Sequence, residues 1–286
     1  MRNRMRRTIL PITFVVLIST FALAHPPQGT FDKTFQVNGA VDLEVLSRSG
    51  DITVKTGAAG TVSIRGKIYV GDHWLVGNRH DEVTAIEQNP PVRQDGNSIH
   101  IDYVNAHDIS VDYEITVPED TTVRTHSGSG DQTIEGTRGN VDLQSGSGDM
   151  RLARLTGEIH LQTGSGDVRA HEISGAVRGN TGSGDIELDE KSQGDIDLHT
   201  GSGNIETRGA EGAFRAETGS GDVTAEGTPA AEWEIRTGSG NVHIHFPPNA
   251  AFDAKISTSS GSLDVDAPIT MTVQGRVNET RKQIEG

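Results

Sequence analysis

The chain has 286 residues, of which 35 are glycine, only 4% are aromatic and none is cysteine. The lack of cysteine excludes a disulfide framework and a lipid-anchored cysteine. The formal net charge of −15 at pH 7 argues against nucleic acid and anionic lipid as direct partners.

The first 24 residues have the pattern of a secretion signal. Arginines at positions 2, 4, 6 and 7 precede a mostly apolar segment, and Ala22-Leu23-Ala24 fits the cleavage pattern before His25. A membrane anchor is the alternative, although the apolar segment is short and Pro11 interrupts it. Cleavage removes four arginines and no acid, so the mature charge is (25 − 4) − 40 = −19. We therefore predict a signal peptide over 1–24 and an exported protein, periplasmic or extracellular, that is not integral to a membrane.

The N-terminal third contains strand-like segments in irregular surroundings. Residues 25–34 are predicted to be a disordered lead. From 35 to 126, apolar and polar residues alternate in several short segments, and Ser49-Gly50-Asp51 is an early copy of a phrase that recurs later. Residues 81–88 favour a short helix stopped by Asn89-Pro90-Pro91. We expect 35–126 to be a β-rich cap on the open end of the regular repeats, where unpaired backbone would favour aggregation.

One phrase of the form Ser/Thr-Gly-Ser-Gly-Asp/Asn recurs between residues 127 and 266. Its second glycines lie at 130, 148, 166, 184, 203, 221, 240 and 261, so the steps are 18, 18, 18, 19, 18, 19 and 21 residues. A fixed step of this size is typical of a solenoid in which each copy is one turn of the chain. Alternation within each copy predicts short strands, with glycine, serine and aspartate in the turns. The predicted fold class is all-β: a single-chain parallel β-solenoid with coils of about 18 residues and an irregular N-terminal capping region.

Aligned copies predict three apolar columns in the core. The first contains Val141, Ile159, Val177, Ile196, Phe214, Trp233 and Ala254. The second contains Leu143, Leu161, Gly179, Leu198, Ala216, Ile235 and Ile256, and the third contains Met150, Val168, Ile186, Ile205, Val223 and Val242. The threonines of the phrase continue the inward alternation, and we expect their hydroxyl groups to link side chains of successive coils; they are Thr163, Thr181, Thr200, Thr218, Thr237 and Thr258.

The acidic column of the phrase has two interpretations. Its members are Asp131, Asp149, Asp167, Asp185, Asn204, Asp222 and Asn241. The column is similar to a calcium-binding nonapeptide repeat, but here the acid follows the second glycine directly and the step is twice as long. The simpler interpretation is that each side chain caps its own turn by accepting a backbone N–H bond. Calcium, which would relieve the repulsion between stacked acids, is the alternative.

Few other residues suggest chemistry. His243 and His245 face outward together if the apolar residues around them point inward, and two such imidazoles can share a metal, but no third ligand is evident. His73 and His80-Asp81, which flank Trp74, are weaker candidates. The serines recur once per coil, as structural positions do, and none lies in a strand-to-helix elbow with a triad partner. We therefore predict no catalytic residue, no metal site and no cofactor.

Aromatic side chains are sparse, which bears on glycan binding because exposed rings are a usual platform for sugars. Trp233 and Phe214 fall in the first apolar column and are predicted to be buried. Trp74 and Tyr69 are the better candidates for exposed rings.

The repeated phrase, the segment Val117-Pro118-Glu119-Asp120 that leads into it, and the early Ser49-Gly50-Asp51 together resemble the bacterial DUF4097 family. The resemblance covers roughly residues 35–280. It implies a secreted or envelope β-solenoid related to GIN-type adhesin head domains, with "adhesin" used by analogy. Relatives often continue beyond a segment like Val273-Gln274-Gly275-Arg276, so 267–286 is interpreted as a C-terminal tail without an obvious cap, and truncation is one explanation of it.

The leading functional hypothesis is an exported, non-enzymatic β-solenoid that serves as a binding, adhesion or scaffold surface in the bacterial cell envelope. Its partner would be an envelope or surface component, either protein or glycan, and not nucleic acid. A carbohydrate-active β-helix enzyme is the second hypothesis, and it requires a groove with non-repeated charged residues. A solenoid that self-associates end to end is the third.

Overall fold

The computed structural model describes residues 26–71, 79–248 and 253–266, together with the backbone of 282–285. About 65% of the chain is strand and 4% is helix. The predicted signal peptide, the loop that holds His73 and Trp74, and most of the C-terminal tail lie outside the described residues. Among the described residues, no helix has the length and hydrophobicity needed to cross a bilayer.

The described elements are one helix and twenty-four strands. The helix is α1 (Arg79–Gln88). In chain order, the strands are β1 (Gly29–Gln36), β2 (Val41–Ser49), β3 (Ile52–Thr56), β4 (Thr61–Val70), β5 (Val92–Asp95), β6 (Ser98–Ile101), β7 (Ile109–Val117), β8 (Thr121–Ser129), β9 (Gln132–Glu135), β10 (Val141–Ser147), β11 (Met150–Ala153), β12 (Ile159–Ser165), β13 (Val168–Ser174), β14 (Val177–Ser183), β15 (Ile186–Ser192), β16 (Ile196–Ser202), β17 (Ile205–Ala210), β18 (Phe214–Ser220), β19 (Val223–Gly227), β20 (Trp233–Ser239), β21 (Val242–His245), β22 (Ala254–Ser260), β23 (Leu263–Asp266) and β24 (Lys282–Glu285).

Two twelve-stranded sheets form the solenoid. The first sheet has the order β1-β4-β7-β3-β9-β11-β13-β15-β17-β19-β21-β23, and the second has β24-β22-β20-β18-β16-β14-β12-β10-β8-β2-β6-β5. From β8 to β23 each coil adds one strand to each sheet, and all these strands pair in parallel. The paired residues are 18 apart at Val141 and Ile159, 19 at Val177 and Ile196, and 21 at Trp233 and Ala254. The predicted parallel β-solenoid is therefore confirmed.

The three predicted apolar columns fill the space between the sheets. Successive members of each column oppose one another in adjacent strands. Apart from Gly179, every member of the three columns is buried with at most 3% of its surface exposed. Because each short strand covers the apolar residues of the strands on either side of it, the stability of the solenoid comes from stacking between coils.

The early copy of the phrase is the first coil of the stack. Strand β2 pairs in parallel with β8, with Ser49 opposite Ser129, and β3 pairs with β9, with Ile52 opposite Gln132. Between β3 and β8, the chain departs from the regular coil order and then returns to it. On this excursion β4 and β7 pair antiparallel at the end of the first sheet, and β5 and β6 form an antiparallel pair at the end of the second.

Residues 29–34 are not part of a disordered lead, as the sequence suggested. They belong to β1, which pairs antiparallel with β4 from Gly29 opposite Ile68 to Gln36 opposite Thr61. The aromatic ring of Phe31 is the physical reason: it is buried, and it makes an edge contact with Tyr113 at a centroid distance of 6.3 Å.

The helix predicted over 81–88 is present and begins two residues earlier, at Arg79. Its first turn contains two acids, Asp81 and Glu82, whose negative charges interact favourably with the positive end of the helix dipole. Val83 is buried, and Glu87 accepts a hydrogen bond from the backbone N–H of Thr30 at 2.8 Å. The helix therefore packs on β1 at the edge of the first sheet.

The C-terminal tail also contains an element that the sequence did not indicate. Strand β24 pairs antiparallel with β22, with Ile256 opposite Ile284. An antiparallel strand therefore lies at this end of the second sheet, whereas β23 is the last described strand of the first sheet.

Candidate functional site

The glycines of the phrase stack on one another at one corner of the solenoid. A Cβ atom at Gly146 would lie 2.6 Å from the carbonyl oxygen of Gly128, and one at Gly148 would lie 2.1 Å from that of Gly130. The contact of the second glycine recurs to Gly261, and that of the first recurs to Gly238, after which Ser259 takes the first position. Close stacking therefore assigns both glycines of the regular copies a structural role.

The acidic column forms a ladder between coils. The backbone N–H of Asp149 donates to Oδ1 of Asp131 at 3.0 Å, and the N–H of Asp167 donates to Oδ1 of Asp149 at 3.0 Å. The pattern extends without a break from Asp112 through Asp51 to Ser262. The prediction that each acid caps its own turn was therefore wrong: each caps the turn of the next coil, because stacking places that N–H directly over the carboxylate.

Arginines on the first sheet neutralise part of this ladder. Arg151 donates to Oδ2 of Asp131 at 2.6 Å and to Oδ2 of Asp149 at 2.8 Å, and Arg169 donates to Oδ2 of Asp167 at 2.8 Å. Partial burial disfavours the charged form of Asp131, but the bonds from Arg151 and from the Asp149 N–H prevail and hold its pKa below the usual value. Backbone and guanidinium groups therefore occupy many of the oxygens that calcium would need.

The threonines of the phrase are buried, as predicted, but their hydroxyl groups do not bond to each other. Thr200 Oγ1 donates to the carbonyl oxygen of Gly184 at 3.0 Å, and Thr218 Oγ1 donates to that of Gly203 at 2.9 Å. The other members make the same bond to a turn glycine of the preceding coil: Thr163, Thr181, Thr237 and Thr258. The ladder therefore connects side chain to backbone, because the inward-pointing hydroxyl lies beneath the glycine corner.

The first serines of the early copies lie in one buried column. Ser47 and Ser127 each donate the hydroxyl hydrogen to a carbonyl two residues along the chain, which ties them to their own turns. Ser145 opposes Ser127, but its Oγ has no hydrogen-bond partner among the described residues.

The large aromatic residues of the first column are buried, as predicted. Trp233 lies between Phe214 and Phe246, with ring centroids at 4.9 and 5.1 Å. Its Nε1–H donates to the carbonyl oxygen of Gly212 at 3.2 Å, so the buried indole is satisfied. Tyr69 is half-buried, and Trp74 lies outside the described residues.

Charged pairs lie on the outward faces of both sheets, for example Arg124 with Asp42 and Arg178 with Glu158 on the second. On the first sheet, Arg208 bonds to Glu187, Asp189 and Glu206, and charged pairs of this kind cover much of the face.

On the second sheet, five successive strands place residues other than Asp, Glu, Lys and Arg in one column, which we call the amide row: His126, Gln144, Gln162, Asn180 and His199. Gln144 bonds to His126 and His199 bonds to Asp197, but the side-chain amides of Gln162 and Asn180 are exposed and have no hydrogen-bond partner in the described part of the chain. The row therefore offers free donors and acceptors on two neighbouring strands.

The histidines predicted to face outward do so. Val242, Ile244 and Phe246 are buried, while His243 and His245 are exposed. His80 and Asp81 lie in the first turn of α1, away from that pair in the chain. In the described residues, no three histidine, cysteine, aspartate or glutamate side chains already converge as a metal site.

A model of one protein family matches almost the whole chain, over residues 27–189 and again over 156–286; its description is "Toastrack DUF4097". The chain belongs to the DUF4097 family. The two overlapping matches lie on the stacked coils, so the family pattern and the solenoid repeat cover the same residues.

Several solved structures are similar to this DUF4097 chain. A "putative adhesin" from Bacteroides fragilis is 18% identical, with 85% of this chain and 96% of that chain covered and a TM-score of 0.38. A "putative lipid binding protein" from Parabacteroides distasonis is 14% identical, with the same coverages and a TM-score of 0.46. A "putative adhesin" from the latter organism is 11% identical, with 84% and 99% covered and a TM-score of 0.36. No curated protein matches the sequence.

One unusual residue of this DUF4097 chain was missed by sequence reasoning. Glu190 of β15 is 9% exposed, and its Oε1 has no hydrogen-bond partner among the described residues. Burial raises the pKa of Glu190 to about 7, opposed by the N–H of Glu211 and aided by the charges of Glu211 and Asp195. The available signal was its position: continuing the alternation of Ile186 and Leu188 places residue 190 inward.

Proposed function

We propose that this DUF4097 chain is an exported, non-enzymatic β-solenoid whose outer surface binds a component of the bacterial cell envelope. The observation that carries the proposal is the division between repeated and non-repeated residues. The repeated Thr and Asp/Asn side chains bond within the stack, and the repeated glycines make close backbone contacts there. What distinguishes one coil from the next is the set of outward residues on the two sheets, and binding specificity belongs there.

The amide row is the part of that surface best suited to binding. Its free amides can donate and accept hydrogen bonds without first breaking an ion pair, whereas the arginines of the first sheet are already bonded to acids. The residues of the row oppose one another in parallel strands, so they follow at one strand spacing. A polymeric or repetitive envelope component, protein or glycan, would meet the free amides of Gln162 and Asn180 on adjacent strands.

Export is supported by the sequence of residues 1–24, with its arginines and apolar segment. The test is fractionation of cells that express the full chain, followed by N-terminal sequencing. We expect the mature protein in the envelope or medium, beginning at His25. Full-length chain that stays in the cytoplasm would contradict export.

Binding is tested with the mature chain and isolated cell envelopes in a saturation assay. Gln162→Arg places a charged side chain in the amide row, and Thr224→Arg makes the same change at an exposed position of the first sheet. We expect saturable binding that Gln162→Arg weakens and Thr224→Arg leaves unchanged. Non-saturable binding would contradict the function, and equal binding by both variants would contradict the assignment to the amide row.

A further inference from the structure

The outward face of β21 carries two imidazoles side by side. His243 and His245 alternate with buried Val242 and Ile244, and their side chains are 49% and 56% exposed. Residues two apart in a strand lie about 6.6 Å from each other along the strand and on the same face. Both rings can therefore turn towards a common point above the sheet.

The next strand places a carboxylate opposite each histidine. In the register of β21 and β23, Asp264 opposes His243 and Asp266 opposes His245. Nδ1 of His245 lies 3.0 Å from Oδ2 of Asp266, within hydrogen-bonding distance. Nδ1 of His243 lies 3.6 Å from Oδ2 of Asp264, slightly beyond hydrogen-bonding distance. The structure thus supplies acidic partners that are 21 residues away in the sequence.

A carboxylate at Nδ1 prepares the other ring nitrogen for a metal. When Nδ1–H is held by a carboxylate, the lone pair of Nε2 is free and more basic, which is the usual arrangement around metal-bound histidine. We propose that His243 and His245 chelate one divalent transition-metal ion through their Nε2 atoms, with Asp266 orienting the ring of His245 and Asp264 lying opposite His243. Imidazole favours zinc and copper, and the remaining coordination positions would be filled by water or by a ligand of another molecule.

The surrounding charges favour a cation at this position. Glu226 of β19 opposes His245 on its other side, so three carboxylates surround the histidine pair. Arg208, an arginine of the same sheet face, is bonded instead to Glu187, Asp189 and Glu206. The pair therefore lies in a region of negative charge, which raises the local concentration of divalent cations.

The same arrangement predicts what kind of site this is. In the part of the chain that the structure describes, no third histidine or acid is placed to ligate the same ion as the two rings. Structural zinc sites usually have four protein ligands, whereas a site with open positions exchanges its ion and can bridge to a partner. The metal would consequently add little to folding, and its removal should leave the solenoid intact.

The test is calorimetric titration of the full chain with Zn²⁺, using protein purified without a histidine tag. We expect His243→Ala and His245→Ala each to weaken one zinc site by at least about tenfold, and Asp266→Asn to weaken it by about 10- to 100-fold as an orienting residue. Circular dichroism should be unchanged in all variants, because these side chains are exposed.

His171→Ala is the matched control. His171 lies on the same sheet face with its Nδ1 2.7 Å from Oδ2 of Asp189, but the residue two positions before it is Arg169 rather than a second histidine. We expect this variant to keep the zinc site. Absence of zinc binding in the unaltered chain, survival of the site in His243→Ala or His245→Ala, or an equal loss in His171→Ala would overturn the proposal.

Discussion

At the scale of single residues, Glu190 is the group whose environment most opposes its ordinary state. It is buried at the end of the inward alternation of β15, its Oε2 accepts only a long bond of 3.4 Å from the N–H of Glu211, and its Oε1 has no partner among the described residues. A carboxylate in this position is largely removed from solvent and has the acids Glu211 and Asp195, rather than a counter-charge, beside it. The neutral acid is therefore the favoured form in the folded chain.

This environment gives stability a defined pH dependence. The pKa of Glu190 is raised from 4.5 to about 7, so its contribution to folding is fully present below about pH 4.5 and is lost as the pH rises through 7. We expect Glu190→Gln, which mimics the neutral acid, to raise the unfolding free energy at pH 8 on the order of 1–3 kcal/mol and to change it little at pH 4.5. Urea unfolding at the two pH values measures this.

The control for that experiment is Glu226→Gln, at an exposed position of β19. Its effect on unfolding should be small at both pH values, because exposed groups interact weakly. If Glu190→Gln destabilised the chain equally at pH 8 and pH 4.5, the negative charge of Glu190 would not be what lowers stability at high pH. The carboxyl group would then be needed as a hydrogen-bond acceptor.

Turn glycines provide a second residue-scale prediction. Gly130 has φ +116° and a Cβ there would lie 2.3 Å from the carbonyl oxygen of Gly50, whereas Gly39 has φ +95° with no atom within 4 Å. We expect Gly39→Ala to cost about 1–3 kcal/mol through backbone strain alone. Gly130→Ala should cost clearly more or prevent folding, because the first two coils must separate. Thermal unfolding of both variants measures the difference, and equal costs would show that close stacking is not what selects glycine.

At the scale of elements, the acidic ladder predicts that an oxygen acceptor matters and a negative charge does not. The chain itself has asparagine at 204, where Oδ1 accepts from the N–H of Asp222 at 2.9 Å just as an aspartate would. We expect Asp185→Asn to be neutral or slightly stabilising, because it removes a charge stacked beside Asp167. Asp185→Ala should cost about 1–2 kcal/mol, because the N–H of Asn204 loses its acceptor.

Urea unfolding of the two Asp185 variants, with and without millimolar calcium, measures this prediction. Adding calcium should leave the unfolding free energy of both variants and of the unaltered chain the same. The ladder would instead hold an ion if two results came together. Asp185→Asn would lower the unfolding free energy as much as Asp185→Ala does, and calcium would stabilise the unaltered chain.

The strand columns could be predicted from sequence because two simple patterns coincide in each copy, the alternation within a strand and the step between copies. The partners of the polar groups could not. An aspartate after a turn glycine can accept from its own turn or from the next coil, and only the stacked position of the Asp149 N–H over Asp131 decides between them. The threonine hydroxyls were misassigned for the same reason, since Thr200 lies beneath the carbonyl of Gly184.

In the candidate metal site, too, the sequence predicted the direction of the side chains but not their partners. The outward direction of His243 and His245 followed from alternation alone. Their partners Asp264 and Asp266 were missed because the last step is 21 residues rather than 18, so a fixed step does not align them. Counting forward from Val242 to Leu263 along the apolar column would have found both.

At the scale of the whole molecule, the two ends of the stack are built differently from its middle. At the N-terminal end, β1, β4 and β7 pair antiparallel, and α1 lies against β1. Residues 29–34 of β1 were not predicted as strand, because Phe31 is the only large apolar residue of that segment and the partner strand β4 comes much later in the chain. End-to-end self-association stays a prediction; antiparallel terminal strands make an uninterrupted parallel continuation from this end less favourable.

The central claim is that successive copies of the phrase lie one strand spacing apart. The chain has no cysteine, so pairs of introduced cysteines can carry spin labels without background. His126 is separated from His199, Glu217 and Arg236 by four, five and six strand pairings along one outward column. Electron–electron distance measurements between position 126 and each of the other three should therefore give about 19, 24 and 29 Å, a constant increment of about 4.8 Å. Distances that do not rise by one constant step of this size would contradict the stacked coil and the account built on it.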